Sequence, residues 1–228
     1  MVAGVGPGNG AALTRRFAQG GYRVAMLARN QERLEELAEA IPETAAYPVD
    51  LTDREAVEEV FERISQDLGS PRVLIHNAVA GAFKTFLELE PETLEHTFRT
   101  NTMSLLHCGQ VAARAMLKQG DGGAIIVTGN TSAWRGLANF AGFAPTKAAQ
   151  RILAQSMARS LGPQGIHVAY VIIDAVIDLW WTRKRMPDKP DDFFIQPAAI
   201  ADTVWHLAHQ ERSAWTFEMD LRPFGEKW

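Results

Sequence analysis

Short apolar runs alternate with longer segments of helical spacing along almost the whole chain. Leu34, Leu37, Ala38 and Ile41 fall at i, i+3, i+4 and i+7 and are followed by Pro42, which ends a helix. Val57, Val60, Phe61 and Ile64 repeat the spacing after Thr52 and Glu55, read as a capping-box pair. Between these segments the pattern predicts strands over 1–4, 22–28, 45–49, 72–76, 123–128, 166–173 and 214–220. Helices are predicted over 92–118, 145–161 and 197–209, with an earlier one from near Ala11. Alternation of this kind belongs to repeated β-α-β units and a parallel sheet. Only Met1, Val2 and Ala3 precede the first glycine, so the chain is expected either to start upstream or to fold with a stub of a first strand.

Composition narrows the classes. The 228 residues suit one large α/β domain spanning 1–228, and a net charge of −4 with scattered basic residues gives no footprint for nucleic acid. Cys108 is the single cysteine, which excludes an internal disulfide and fits a cytoplasmic setting. The apolar runs are too short to cross a bilayer, so a soluble protein without a membrane partner is expected. His76, His96, His107, His167, His206 and His209 have no ligand spacing with cysteine or clustered carboxylates, and no metal site is predicted. Tyr22, Tyr47 and Tyr170 fall on predicted strands and read as packing residues.

The candidate chemistry begins at Gly4-Val5-Gly6-Pro7-Gly8-Asn9-Gly10, which lies between the first strand and the first helix. Glycines there allow a tight turn and close approach of backbone to a pyrophosphate, and free amides at a helix start face the anion. The spacing Gly4-xxx-Gly8-x-Gly10 resembles that of the short-chain dehydrogenase/reductase family, and further blocks agree in order. Asp50-Leu51 resembles the family's adenine-contacting pair, and His76-Asn77-Ala78-Val79 its Asn-Asn-Ala-Gly block. Asn101 stands where the family has a helix-distorting asparagine, and Lys147 where it has the ribose-binding lysine. The resemblance implies a single Rossmann-type, doubly wound parallel sheet of about seven strands with helices on both faces. Arg29 stands at the end of the second strand, where a carboxylate would grip a ribose 2′-hydroxyl. An arginine there suits a 2′-phosphate, which favours NADP over NAD.

The catalytic half departs from the family. Its tyrosine, four residues before the lysine, is matched by Phe143, which has no titratable proton. Its serine is matched by Asn130, with Ser132 close but out of register, and its Pro-Gly, Ile and Thr after the sixth strand by Asp174-Ala175, Ile177 and Leu179. Phe143 and Lys147 share a helix face, which places the ring beside the ammonium and lowers its pKa by desolvation. Two routes then stay open: Lys147, through a water held by Asn101, as a substitute proton donor, or a substrate that needs little acid help, such as an iminium or an activated double bond. The cofactor set is Gly4, Gly8, Asn9, Gly10, Arg29, Asp50, Leu51, Asn77, Ala78, Lys147 and Ile177.

From Asp178 to Ile195 runs an insertion holding Trp180, Trp181, Arg183, Lys184, Arg185, Met186, Phe193 and Phe194. It is expected to be a substrate lid, its aromatics and cationic triplet suited to a small molecule with an apolar body and an anionic end. The resemblance also implies a homodimer or homotetramer. Three readings follow: an NADP-dependent oxidoreductase of altered chemistry, a catalytically silent dinucleotide-binding sensor or partner subunit, and, from fold analogy alone, a non-redox enzyme such as a lyase.

Overall fold

The computed structural model describes residues 1–225, and there each apolar run forms a strand. The strands are β1 Val2–Ala3, β2 Val24–Ala28, β3 Thr44–Pro48, β4 Val73–His76, β5 Gly123–Asn130, β6 Ile166–Ile173, β7 Val176–Ile177, β8 Phe194–Ile195 and β9 Glu218–Leu221. The helices are α1 Asn9–Gln19, α2 Gln31–Ala40, α3 Arg54–Leu68, α4 Pro91–Phe98, α5 Ser104–Gln119, α6 Ala144–Leu161, α7 Trp180–Arg185 and α8 Pro197–Ala208. Seven strands make one parallel sheet in the order β3-β2-β1-β4-β5-β6-β9, while β7 and β8 form a separate two-stranded ladder.

Alternate residues of the central strands enter two cores. Ala25, Leu27, Ile125, Val127, Val168 and Tyr170 pack with Val57, Phe61 and Ile64 of α3, Leu105 and Met116 of α5 and Ala154 of α6. Val24, Met26, Ile126, Ala169 and Val171 pack on the other face with Leu13 and Phe17 of α1, Leu34 of α2 and Val204 and Leu207 of α8. A sheet buried on both faces needs apolar side chains of both parities, which is why these strands read as continuous apolar runs. The stub β1 is held on both sides: Ile75 N donates to Met1 O and Asn77 N to Ala3 O, and Gly4 N and Val5 N both donate to Leu27 O.

Several expected boundaries are corrected. The helix predicted over 92–118 is interrupted by a π-wound stretch, Arg99–Met103, because Asn101 turns inward to bond the backbone of Ala80. The cap of α3 is Asp53, whose carboxylate accepts from Ala56 N; Thr52 instead donates to Asp50, so the Thr52–Glu55 pairing does not form. Helix α1 starts at Asn9 rather than near Ala11, and Ile41 is extended beyond the end of α2 yet buried. Tyr22 lies ahead of β2, in contact with Phe17, Trp205 and His209. The last strand is shorter than predicted, running Glu218–Leu221 after a 3-10 turn at Arg212–Ala214. Residues 178–195 are an ordered unit of α7 framed by β7 and β8.

Phe61 is 2% exposed at the centre of one core. Phe61→Ala is expected to lower unfolding free energy by about 3–5 kcal/mol, measured as a shift of the denaturant midpoint; a change under about 1 kcal/mol would contradict this packing.

Candidate active site

Where β1 and β4 part the two halves of the sheet, their carboxyl ends open onto a cleft of about 620 Å³, the position at which doubly wound sheets take ligands. Its floor is the glycine turn. Gly4 has φ of +92°, and a Cβ on it would stand 2.4 Å from Ala78 N, so the 77–78 backbone lies flush against the turn. Asn77 fixes that approach by donating from Nδ2 to Gly4 O at 2.9 Å, while its Oδ1 accepts from Thr128 Oγ1 at 3.0 Å. Gly10 is equally crowded, by Val5, and Gly8 by Leu179, whereas Gly6 faces open space. Helix α1 begins with no side chain capping its amino end, and Asn9 Oδ1 is buried beside it without a hydrogen-bond partner among the described residues. Uncapped amides over a floor of glycine are a fitting cradle for a pyrophosphate.

At one end of the cleft stand two exposed arginines, Arg29 after β2 and Arg33 in the first turn of α2. Asn30 caps α2 by accepting from Arg33 N at 2.9 Å. Asp50 and Leu51 form the neighbouring wall with His96 and Thr100. Burial works to raise the Asp50 carboxyl, but hydrogen bonds from Thr52 N and Oγ1, with Arg29 and His96 nearby, hold it below its usual value.

Lys147 stands at the other end, buried in the first turn of α6. Its Nζ donates to Thr128 O at 3.2 Å and to Gln150 Oε1 at 2.5 Å, and burial lowers its pKa to about 7. Asn130 also lines the cleft, its Oδ1 buried without a hydrogen-bond partner among the described residues, as do Ile177, Trp181 and Leu179, the last against Gly8. All eleven residues of the expected cofactor set therefore line one cleft, together with Asn130.

The rest of the expected catalytic set lies behind it. Phe143 and Ser132 are buried and are not among the lining residues. The Phe143 ring packs with Phe83 and Phe140, centroids 5.4 and 6.3 Å away, rather than beside the Lys147 ammonium, which is drawn to its two oxygen acceptors. The Asn101 side chain bonds Ala80 N, Ala80 O and Thr146 Oγ1, and its main-chain oxygen accepts from Gln150 Nε2 at 2.6 Å. The cationic triplet is also divided. Arg183 binds Asp178 through two hydrogen bonds of 2.6 and 2.8 Å, reaches Asp191, and stacks over Phe194 at 4.2 Å, so it staples its own segment. Lys184 and Arg185 stay exposed. Tyr170 offers no alternative acid, because burial pushes its hydroxyl up and the group donates to Gln150 Oε1 and Lys147 O.

Sequence reasoning missed Thr128, Gln150 and Arg33. Arg33 had a signal, an arginine four residues beyond Arg29; Gln150 had a weaker one, a polar residue three beyond Lys147 on the same helix face. Thr128 meets Lys147 through its backbone oxygen, a contact with no sequence signal.

The family model described as short chain dehydrogenase matches residues 1–177. L-xylulose reductase of Mesocricetus auratus is 31% identical over 168 residues, 74% of this chain and 67% of that protein. Carbonyl reductase (NADPH) 2 of Sus scrofa is 30% identical over 168 residues with the same coverage. A crystal structure of a short-chain dehydrogenase from Rhodopseudomonas palustris superposes with a TM-score of 0.84 at 33% identity, covering 98% of this chain and 97% of that one. No helix among the described residues is long and apolar enough to cross a membrane, and no cluster of potential metal ligands occurs among them.

The glycine turn makes a paired prediction. Gly4→Ala forces an L side chain to positive φ and into Ala78, and is expected to lower stability by at least ~1 kcal/mol, whereas Gly6→Ala meets open space and is expected to stay within about 0.5 kcal/mol of wild type. Equal denaturant midpoints for the two variants would contradict the described turn.

Proposed function

Because the chain belongs to the short-chain dehydrogenase family, we propose that it is an NADP(H)-dependent oxidoreductase of altered chemistry acting on a small carbonyl, imine or activated alkene. The observation that carries this reading is the single cleft running from Arg29 and Arg33, over the glycine turn, to Lys147. The first amides of α1 would hold the pyrophosphate, Asp50 and Leu51 the adenine side, and Lys147 the nicotinamide ribose. Two guanidiniums at the adenine end favour a 2′-phosphate over a bare hydroxyl, hence NADP over NAD. Bound there, the nicotinamide supplies or accepts the hydride.

Phe143 stands at the position of the family's tyrosine, and Asn130 at that of its serine. The protein's own proton source is then Lys147, whose amine sits at the cleft with a pKa near neutrality and carries the donated proton itself. Asn130 would hydrogen-bond the reacting group, and Ile177, Leu179 and Trp181 would form the apolar wall, with 178–195 as the substrate-side cover. A second reading, a catalytically silent dinucleotide sensor or partner subunit, is favoured by the burial of Phe143 among Phe83 and Phe140, where no titratable group replaces the phenol. A cytoplasmic homo-oligomer is the setting we propose for either.

Fluorescence titration with NADPH and NADH, coupled to a screen of ketones, imines and enones for NADPH oxidation, separates the readings. Binding with turnover supports the reductase, binding without turnover supports the sensor, and no binding overturns both. Arg29→Ser and Arg33→Ser are each expected to weaken NADPH roughly 10-fold, a loss of about 1.4 kcal/mol, with NADH affected far less; equal losses for both nucleotides would remove the 2′-phosphate argument. If Lys147 is the donor, its protonated form is present below its pKa and lost above it, so the reduction rate should fall as pH rises through about 7. A rate independent of pH across that range, or full turnover by Lys147→Met with NADPH still bound, would exclude the lysine.

A further inference from the structure

Gln150 is fully buried on α6, and both ends of its carboxamide are engaged. Oε1 accepts from Lys147 Nζ at 2.5 Å and from Tyr170 Oη at 3.2 Å, while Nε2 donates to the main-chain oxygen of Asn101 at 2.6 Å. An amide taken out of water is unfavourable unless its polar atoms are matched. Here they are matched by three different elements: the π-wound stretch, the first turn of α6 and β6. An ammonium has three N–H donors. Thr128 O takes one, Gln150 takes another, and Lys147 lines the cleft, which leaves the third for whatever the cleft holds.

We propose that Gln150 is a positioning residue for Lys147, a carboxamide bridge from the Asn101 carbonyl to Nζ that keeps the ammonium and its proton at the cleft. The inference rests on the reductase reading for its use in turnover, although the bridge itself does not depend on that reading. A direct side-chain link stands where the sequence suggested a water on Asn101, and a covalently anchored amide cannot exchange away as a water does. The other groups facing the amine leave this bridge in control. His76 on β4 is kept neutral by burial, with the nearby Lys147 charge adding to the effect, at a pKa of about 3. Tyr170 on β6 is held protonated by burial, and the Arg151–Glu218 ion pair adjoins Tyr170. Thr128 on β5 and Asn101 do not titrate. Thus Gln150 is the one side chain bonded to Nζ among the described residues.

The test follows the titration of Lys147 in 13C-lysine-labelled apoprotein by NMR, with the signal assigned by its loss in Lys147→Met. Gln150→Met removes the acceptor and is expected to lower the midpoint by about one pH unit, the scale of one charge-assisted hydrogen bond. Gln150→Glu keeps the acceptor facing Nζ and adds charge while losing the Nε2 donor to Asn101 O, and is expected to raise the midpoint by at least about one unit. Midpoints unchanged from wild type in folded variants overturn the proposal; if Gln150→Met does not fold, the Gln150→Glu shift alone decides. NADPH titration of the wild type runs in parallel. A Gln150-dependent midpoint without NADPH binding would sink the reductase reading and leave the bridge standing, and binding with an invariant midpoint would do the reverse.

Discussion

The close approach of the 77–78 backbone to Gly4 is the constraint on which the site depends. Only a residue without Cβ, at positive φ, lets the end of β4 lie against the turn after β1, and Asn77 locks the approach with one bond to Gly4 O and another to Thr128. Thr128 in turn offers its carbonyl to Lys147. One chain of contacts therefore joins the glycine turn, where α1 begins with no side-chain cap, to the buried amine of the same cleft. Because the links are hydrogen bonds between adjacent strand ends of one sheet, the glycine turn and the amine are tied together through β4 and β5.

The sequence was most legible where burial forces a pattern. Central strands such as β6, buried on both faces, read as unbroken apolar runs, and Ile166–Ile173 was located to the residue. The helices α2 and α3 announced their buried faces through Leu34, Val57, Phe61 and Ile64. The cleft-lining residues were legible because the cleft is built from residue types with few substitutes: glycine for the close turn, an amide at Asn77, a cation at Lys147.

What was not legible depends on contacts between segments far apart in the chain. The spacing around Asn101 predicts a continuous helix over 92–118; only the resemblance marks Asn101 as helix-distorting, and its partner Ala80 has no local signal. Arg183 looked like one of three free cations, yet Asp178 and Asp191, five residues before it and eight after it, converge on it only once α7 is framed by β7 and β8. Phe143 is a lesson in the opposite direction. Its helix spacing suggested the ammonium as neighbour, but the ring packs with Phe83 and Phe140, while the ammonium bonds the oxygens of Thr128 and Gln150.

The network around Lys147 bears on how a member of this family would work without a phenol at position 143. Burial brings the amine close to neutrality, Thr128 and Gln150 hold it in place, and the cleft is the side left open to it. The most direct measurement is a crystal structure of the chain with NADP⁺. The account predicts the pyrophosphate against Gly6 to Gly10 at the start of α1, the 2′-phosphate between Arg29 and Arg33, and the nicotinamide ribose within hydrogen-bonding reach of Lys147 Nζ. A nucleotide bound elsewhere, or bound in the cleft with its 2′-phosphate clear of both arginines, would contradict it.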